Sequence, residues 1–182
     1  MLFRSSLPAE AWRRALPEVK HLASAPRSPA VRAQALSLLA LRDALPEPLL
    51  ESALRSDHPG LVSVALGWVP SGVAGNRLLE ILGDALDQNP AHRFHRSLAL
   101  SRSDAGAMPL LVRQLSRWPD DAWIRASAIA AARRQPEAFL EALIRTPDLF
   151  RNHADLVAAL LAAWDRPGSI AVAERDRKST RL

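Results

Sequence analysis

The chain has 182 residues, 48% of them hydrophobic, and its 24 Lys and Arg against 19 Asp and Glu give a net charge of +5. It contains no cysteine, which excludes disulfides, thiolate metal sites, cysteine nucleophiles and c-type haem attachment within this sequence. Nearly all of the basic residues are arginines, a bias that a GC-rich genome produces, so the charge is weak evidence for a nucleic-acid partner.

The N-terminal segment 1–27 predicts a flanking helix over residues 7–25. Its first residues, MLFRSSLPAEAWRRAL, lack the apolar run of a signal peptide. No stretch elsewhere is long and apolar enough to cross a bilayer. The sequence therefore predicts no membrane span.

Four segments of the chain share one plan and indicate an internal repeat. They are SPAVRAQALSLLAL (28–41), HPGLVSVALGWVP (58–70), NPAHRFHRSLALSR (89–102) and DDAWIRASAIAAAR (120–133). Taking Val31, Leu61, His92 and Ile124 as equivalent positions gives steps of 30, 31 and 32 residues. Such a period is typical of arrays of helical hairpins.

Each repeated segment carries the signals of a helix start. Polar residues suited to an N-cap precede the segments: Ser28, Asp57, Asn89, and Asp120 or Asp121. Pro29, Pro59 and Pro90 fall in the first turn, where a missing amide hydrogen is harmless. Apolar residues then recur at steps of 3 and 4, which predicts amphipathic helices.

Between these segments lie four partner helices, predicted at 46–56, 75–88, 108–118 and 136–146. A further flanking helix is predicted at 153–166, and no segment alternates as a strand would. The fold class expected is all-α, with a repeat array over residues 28–166 and a C-terminal tail over 167–182.

The last residues of the tail, DRKSTRL at 176–182, resemble the translation of read-through into a sequencing adapter. A metagenomic gene fragment would end in this way. We therefore expect 176–182 to be an artefact and the natural protein to continue beyond about residue 175.

The repeat resembles the HEAT-repeat family. The motif is an Asp or Asn turn followed by an aliphatic residue and Arg. It is carried by SPAVR, which has Ser at the turn, by NPAHR, which has His before Arg, and by DDAWIR, whereas the unit at Leu61 has Val62 in place of Arg. The resemblance implies a right-handed α-solenoid of HEAT-like hairpins whose long surface binds proteins.

A narrower resemblance is carried by LLESALRSDHPGLV, HRFHRSLALSR, DDAWIRASAIAAA and EAFLEAL. These segments look like the HEAT region of planctomycete-type membrane-bound dehydrogenase and c-type cytochrome proteins. That resemblance implies a periplasmic spacer module whose haem chemistry lies in other domains, and this chain has no CxxCH motif. If the narrower resemblance does not hold, the expected compartment is the cytoplasm; the sequence itself leaves the compartment open.

The segment NPAHRFHRSL raises the question of a binding site. On a helix, Phe94, Ser97 and Leu98 share one arc, which predicts a basic, solvent-facing opposite side. The HEAT resemblance implies that this helix lines the concave face of the array. The candidates for binding an acidic partner are therefore the basic residues of this side and Arg102 further along the same helix: His92, Arg93, His95, Arg96 and Arg102. Two histidines three residues apart could supply two metal ligands, but no third ligand lies near, so no metal site is predicted.

Three arginines occupy equivalent positions of the repeat and are candidates for a structural role: Arg32, Arg93 and Arg125. The HEAT resemblance implies that such an arginine reaches an acidic or amide group of the adjacent turn. The three would then form a structural ladder between repeats, in which loss of Arg32 or Arg125 is costly and loss of Arg96 is nearly silent.

Motifs for catalysis are missing, including GxSxG, HExxH and Gly-rich phosphate loops. The Asp120–Asp121 pair is expected to cap a helix, and the five tryptophans are expected to pack mostly in the core. We therefore expect no enzyme activity, no catalytic residue and no cofactor. The expected partners are another protein and the neighbouring domains of a longer chain. The alternatives are a nucleic-acid-binding, DNA-repair-type HEAT-like protein and a spacer module of a haem-containing dehydrogenase.

Overall fold

A computed structural model describes residues 8–24 and 28–164 of the chain. Within these residues it contains twelve α-helical segments, one short 3-10 turn and no strand. The predicted all-α class is therefore confirmed. The predicted tail at 167–182, including the adapter-like segment 176–182, lies outside the described residues.

The described residues divide after Val69 into two compact units. The helices of the first unit are α1 (Ala9–Ser24), α2 (Pro29–Ala40), α3 (Glu47–Leu54) and α4 (Pro59–Gly67). Helix α2 packs against both α1 and α4, and α4 also packs against α3. The core between them is made largely of leucines: Leu36, Leu39, Leu50, Leu54, Leu61 and Leu66.

The second unit contains the remaining helices. They are α5 (Val73–Ile81), α6 (Gly83–Leu86), α7 (Pro90–Arg102), α8 (Met108–Arg117), α9 (Ala122–Arg134), α10 (Pro136–Ile144), α11 (Pro147–Asn152) and α12 (Ala154–Trp164). The 3-10 turn Ala105–Ala107 precedes α8. Helix α9 packs between α7 and α12, while α8 packs against α10.

The predicted N-caps are correct for two of the four repeated helices. Asn89 Oδ1 accepts a hydrogen bond from the Ala91 amide at 2.9 Å, and Asp121 Oδ1 accepts from the Trp123 amide at 3.0 Å. Ser28 occupies the N-cap position of α2 without a side-chain cap bond. Asp57 was predicted wrongly, because α4 begins at Pro59 and the residue that precedes it is His58.

Helices α7 and α9 run parallel and in register. Near their N-terminal ends the rings of Phe94 and Trp123 lie 5.0 Å apart, and in the middle Ser97 Oγ lies 3.0 Å from Ser127 Oγ. At the C-terminal ends the Ser103 carbonyl accepts a hydrogen bond from the Arg134 side chain. Parallel packing of helices one period apart is the arrangement that a repeat of hairpins requires.

The helix predicted over 75–88 is broken at Leu82 into α5 and α6. The side chain of Arg96 lies against this break: at Gly83 an added Cβ would lie 2.8 Å from Arg96 Cζ. Arg96 Nε also donates to the Leu79 carbonyl, in the last turn of α5, at 3.1 Å. Helix α11 was not predicted, although Pro147 in its first turn is a helix-start signal.

The parallel register of α7 and α9 can be tested by crosslinking, since the chain has no cysteine of its own. In the variant Ser97→Cys/Ser127→Cys we expect mild oxidation to form an intramolecular disulfide, because the two Oγ atoms lie 3.0 Å apart. Non-reducing electrophoresis and thiol titration would detect it. The matched control is Ser97→Cys/Ala126→Cys, in which the second cysteine is exposed on α9 and should stay reduced. Equal crosslinking in both variants would contradict the register.

Candidate interaction surface

Arg96 was predicted to face solvent, and this prediction is wrong: only 5% of the residue is exposed. Its Nη1 lies 2.8 Å from Asp87 Oδ2, so the guanidinium forms a buried ion pair. The space that it occupies exists because Gly83 has no side chain. Arg96 therefore is not part of any surface that a partner can reach.

Asp87 is the centre of a buried polar cluster. It is 2% exposed, and its second oxygen, Oδ1, accepts a hydrogen bond from Gln114 Nε2 at 2.7 Å. The same Gln114 nitrogen also lies 3.3 Å from the Arg93 carbonyl. Both carboxylate oxygens are thus partnered, which is the condition under which a buried charge is tolerated.

Arg93, a candidate for both binding and the ladder, connects α7 to the start of α9. Its Nε lies 3.6 Å from Asp121 Oδ2, its Nη1 donates to the Asp87 carbonyl at 3.3 Å, and its guanidinium lies 3.9 Å from the ring centre of Trp118. The side chain is 13% exposed. These contacts leave little of Arg93 for an external partner.

The other two arginines of the predicted ladder differ from Arg93. Arg32 donates through Nε to the Ala23 carbonyl at 3.3 Å and through Nη2 to Ser52 Oγ at 3.5 Å. Arg125 is half-buried, and among the described residues it has no hydrogen bond or ion pair through its side chain. The structure therefore gives Arg125 no ladder contact.

His92, His95 and Arg102 are the candidates that remain near the surface of α7. Arg102 is exposed and the two histidines are half-buried. Burial lowers the pKa of His95 below its ordinary value, and the positive charges of His92 and Arg102 lower it further. His95 is therefore mostly neutral at pH 7. No group of three or more His, Cys, Asp or Glu suited to a metal ion occurs among the described residues.

The tryptophans were expected to pack mostly in the core, and Trp123 departs from that expectation. It lies in the first turn of α9 and is 63% exposed. One side of its indole contacts Phe94, whose ring in turn lies 5.0 Å from that of His95. A sequence signal for its exposure does exist. Ile124 and Ala128 mark the buried face of α9, and the residue before Ile124 points about 100° away from that face.

The accessible sides of α7 and α9 form one surface, which we call the α7–α9 surface. It consists of His95, Leu98 and Arg102 on α7 and of Trp123, Ala130 and Arg133 on α9. Because the two helices are parallel and pack against each other, their accessible sides open in the same direction. The surface has an aromatic end at Trp123 and a basic end at Arg102 and Arg133, with small or apolar residues between them.

The arginines of this layer differ from those of the neighbouring helices in their partners. On α8 and α10, Arg113 lies 3.9 Å from Glu80, Arg117 lies 2.6 Å from Asp84 and Arg145 lies 2.5 Å from Glu141. Within the described part of the chain, no hydrogen bond or ion pair involves the side chains of Arg102, Arg125 or Arg133. The α7–α9 layer thus carries positive charge that the described residues of the second unit do not pair with a carboxylate.

Comparison with protein-family models, curated proteins and solved structures finds no match for this chain. Within residues 8–24 and 28–164, no helix combines the length and apolar character needed to cross a membrane.

The buried ion pair makes a prediction opposite to that of the sequence. Arg96→Ala should lower the free energy of unfolding by about 3 to 5 kcal/mol, because it leaves Asp87 buried without its charged partner. The matched control is Arg102→Ala, an exposed position on the same helix, for which a change within about 0.5 kcal/mol is expected. Urea denaturation of both variants would measure the difference. A silent Arg96→Ala would show that this side chain is solvated.

The lowered pKa of His95 predicts a pH dependence of stability. Because the folded-state pKa lies below the ordinary value of 6.5, the unfolded chain takes up the proton first as the pH falls through 6.5. The free energy of unfolding should therefore decrease on acidification below pH 6.5 and stay constant with respect to this group above it. His95→Gln should reduce that dependence when thermal or urea unfolding is followed across this range. An unchanged slope would contradict the assignment.

Proposed function

We propose that this chain is a non-catalytic module that binds or scaffolds other proteins and belongs to a longer protein. In this proposal its architecture is a right-handed, HEAT-like α-solenoid. A solenoid exposes a long surface because each hairpin contacts only its neighbours.

The packing within the second unit supports a solenoid. Helices α7, α9 and α12 pack side by side in one row, while α8 packs against α10. The Arg93 contact with Asp121 joins one hairpin to the next, in the manner expected of an arginine ladder. The contacts between α7 and α9 recur at separations of 29 to 31 residues, from Phe94–Trp123 to Ser103–Arg134.

The single observation that carries a binding function is the exposed Trp123. An indole that is 63% exposed on a helix face leaves apolar area in water, which a bound partner can cover. Trp is also among the residues that contribute most to the affinity of protein interfaces. Asp121 supports a role without catalysis, because its carboxylate caps α9 and lies close to Arg93 instead of serving as a free base.

A test of this proposal needs no assumption about the partner. Random peptides displayed on phage are selected on the immobilised chain and, in parallel, on the bare support. We expect peptides enriched on the chain alone, whose binding is competed by soluble chain. Double-stranded DNA is measured beside them at about 150 mM salt, where a surface with few free cations should not bind. No chain-specific peptide, or micromolar DNA binding that ignores sequence, would overturn the proposal.

A further inference from the structure

We infer that the α7–α9 surface binds an acidic segment of a partner protein, one apolar side chain of which packs on Trp123. This inference rests on the proposed function and specifies the chemistry of the partner.

Charge is segregated between the helices of the second unit. Helices α7 and α9 together contain six arginines and no Asp or Glu. Arg93 and Arg96 are compensated by carboxylates from outside these helices, and Arg134 donates to the Ser103 carbonyl. Within the described residues Arg102, Arg125 and Arg133 have no such acceptor, so a partner that supplies carboxylates gains complementary contacts.

Trp123 is held in place before any partner arrives. Its backbone amide donates to Asp121 Oδ1 at 3.0 Å, and one side of its ring is held against Phe94. Asp121 is itself fixed by Arg93, whose Nε lies 3.6 Å away. A preorganised aromatic side chain loses little conformational freedom on binding, which favours affinity.

The spacing of the two ends defines the segment that fits. From Trp123 to Arg133 there are ten residues of helix, which corresponds to about 15 Å along the axis. An extended peptide covers that distance in about five residues. We therefore expect the partner's segment to contain an apolar residue and, about four residues away, a pair of Glu or Asp.

An acidic peptide is favoured over nucleic acid by the number of cations available. Tight binding of a phosphate backbone uses about 6 to 10 contacts from Lys or Arg. Of the arginines of α7 and α9, only Arg102 and Arg133 lie on the α7–α9 surface and are without a hydrogen bond or ion pair among the described residues. Two cations and one indole suit a short acidic segment better than a polyphosphate chain.

The experiment uses the full chain and a fluorescein-labelled synthetic peptide with Phe placed about four residues before two glutamates. Two analogues replace either both glutamates by Gln or the Phe by Ala. Fluorescence anisotropy should give a Kd on the order of 10 μM for the parent peptide, weakening as salt is raised. Either analogue should bind at least about tenfold more weakly.

Variants of the chain locate the binding. Trp123→Ser should weaken the parent peptide at least about tenfold, whereas Ile144→Ser, at a position of equal exposure on α10, should change it less than about twofold. Arg102→Gln/Arg133→Gln should weaken it about fivefold or more. Arg113→Gln/Arg145→Gln, which removes the same charge from α8 and the end of α10, should have little effect. Circular dichroism and thermal unfolding confirm that each variant is folded.

Three outcomes would overturn the inference. The first is equal binding of the neutral analogue, and the second is equal weakening by the two arginine double variants. The third is that a thymidine oligonucleotide of about 20 nucleotides binds more tightly than the parent peptide and is weakened by the same variants of the surface. That result would make the surface a nucleic-acid site. If phage display selects uncharged peptides whose binding is unchanged by the variants of the α7–α9 surface, this inference fails while the proposed function stands. If display selects no peptide, both fail.

Discussion

The second unit is organised around the carboxylate of Asp87, which is buried at the end of α6. It accepts hydrogen bonds from Arg96 on α7 and from Gln114 on α8, and Arg96 extends to the carbonyl of Leu79 on α5. Four helices are therefore joined by one polar cluster. A buried charge without such partners costs several kcal/mol, so an arrangement that separates these helices is disfavoured. The apolar contacts stabilise the unit, and this cluster selects the way in which the helices meet.

The same cluster explains where the sequence predicts the fold well and where it does not. The repeat period, the prolines in the first turns and the caps at Asn89 and Asp121 are local signals, and they locate the helices. The orientation of α7 depends on Asp87 and Gly83, which belong to another helix and its turn. Because an isolated helical pattern contains no information about that carboxylate, it places Arg96 in solvent.

The repeated arginines show that equivalent positions need not make equivalent contacts. Arg93 finds Asp121 at the residue that precedes the next helix of its row. The residue that precedes α12 is His153, so Arg125 has no carboxylate at the corresponding place. Arg32 instead uses the carbonyl of Ala23 and the hydroxyl of Ser52. An arginine of the repeat therefore predicts a contact between units only where an Asp precedes the next helix of the same row. Of the three arginines, only Arg93 meets this condition.

Each of the helices α2 and α9 carries a row of exposed residues that the packing of the core does not constrain. In the first unit, α2 and the turn after it carry the aliphatic residues Val31, Leu38 and Leu41 at spacings of seven and three. In the second unit the same spacing on α9 carries Trp123, Ala130 and Arg133. In both helices the buried residues lie on another face, so these exposed residues contribute little to the fold. A difference in the chemistry of these exposed rows can thus change what each unit binds without changing how it folds, and this is why Trp123 carries more information about function than the repeat motif does.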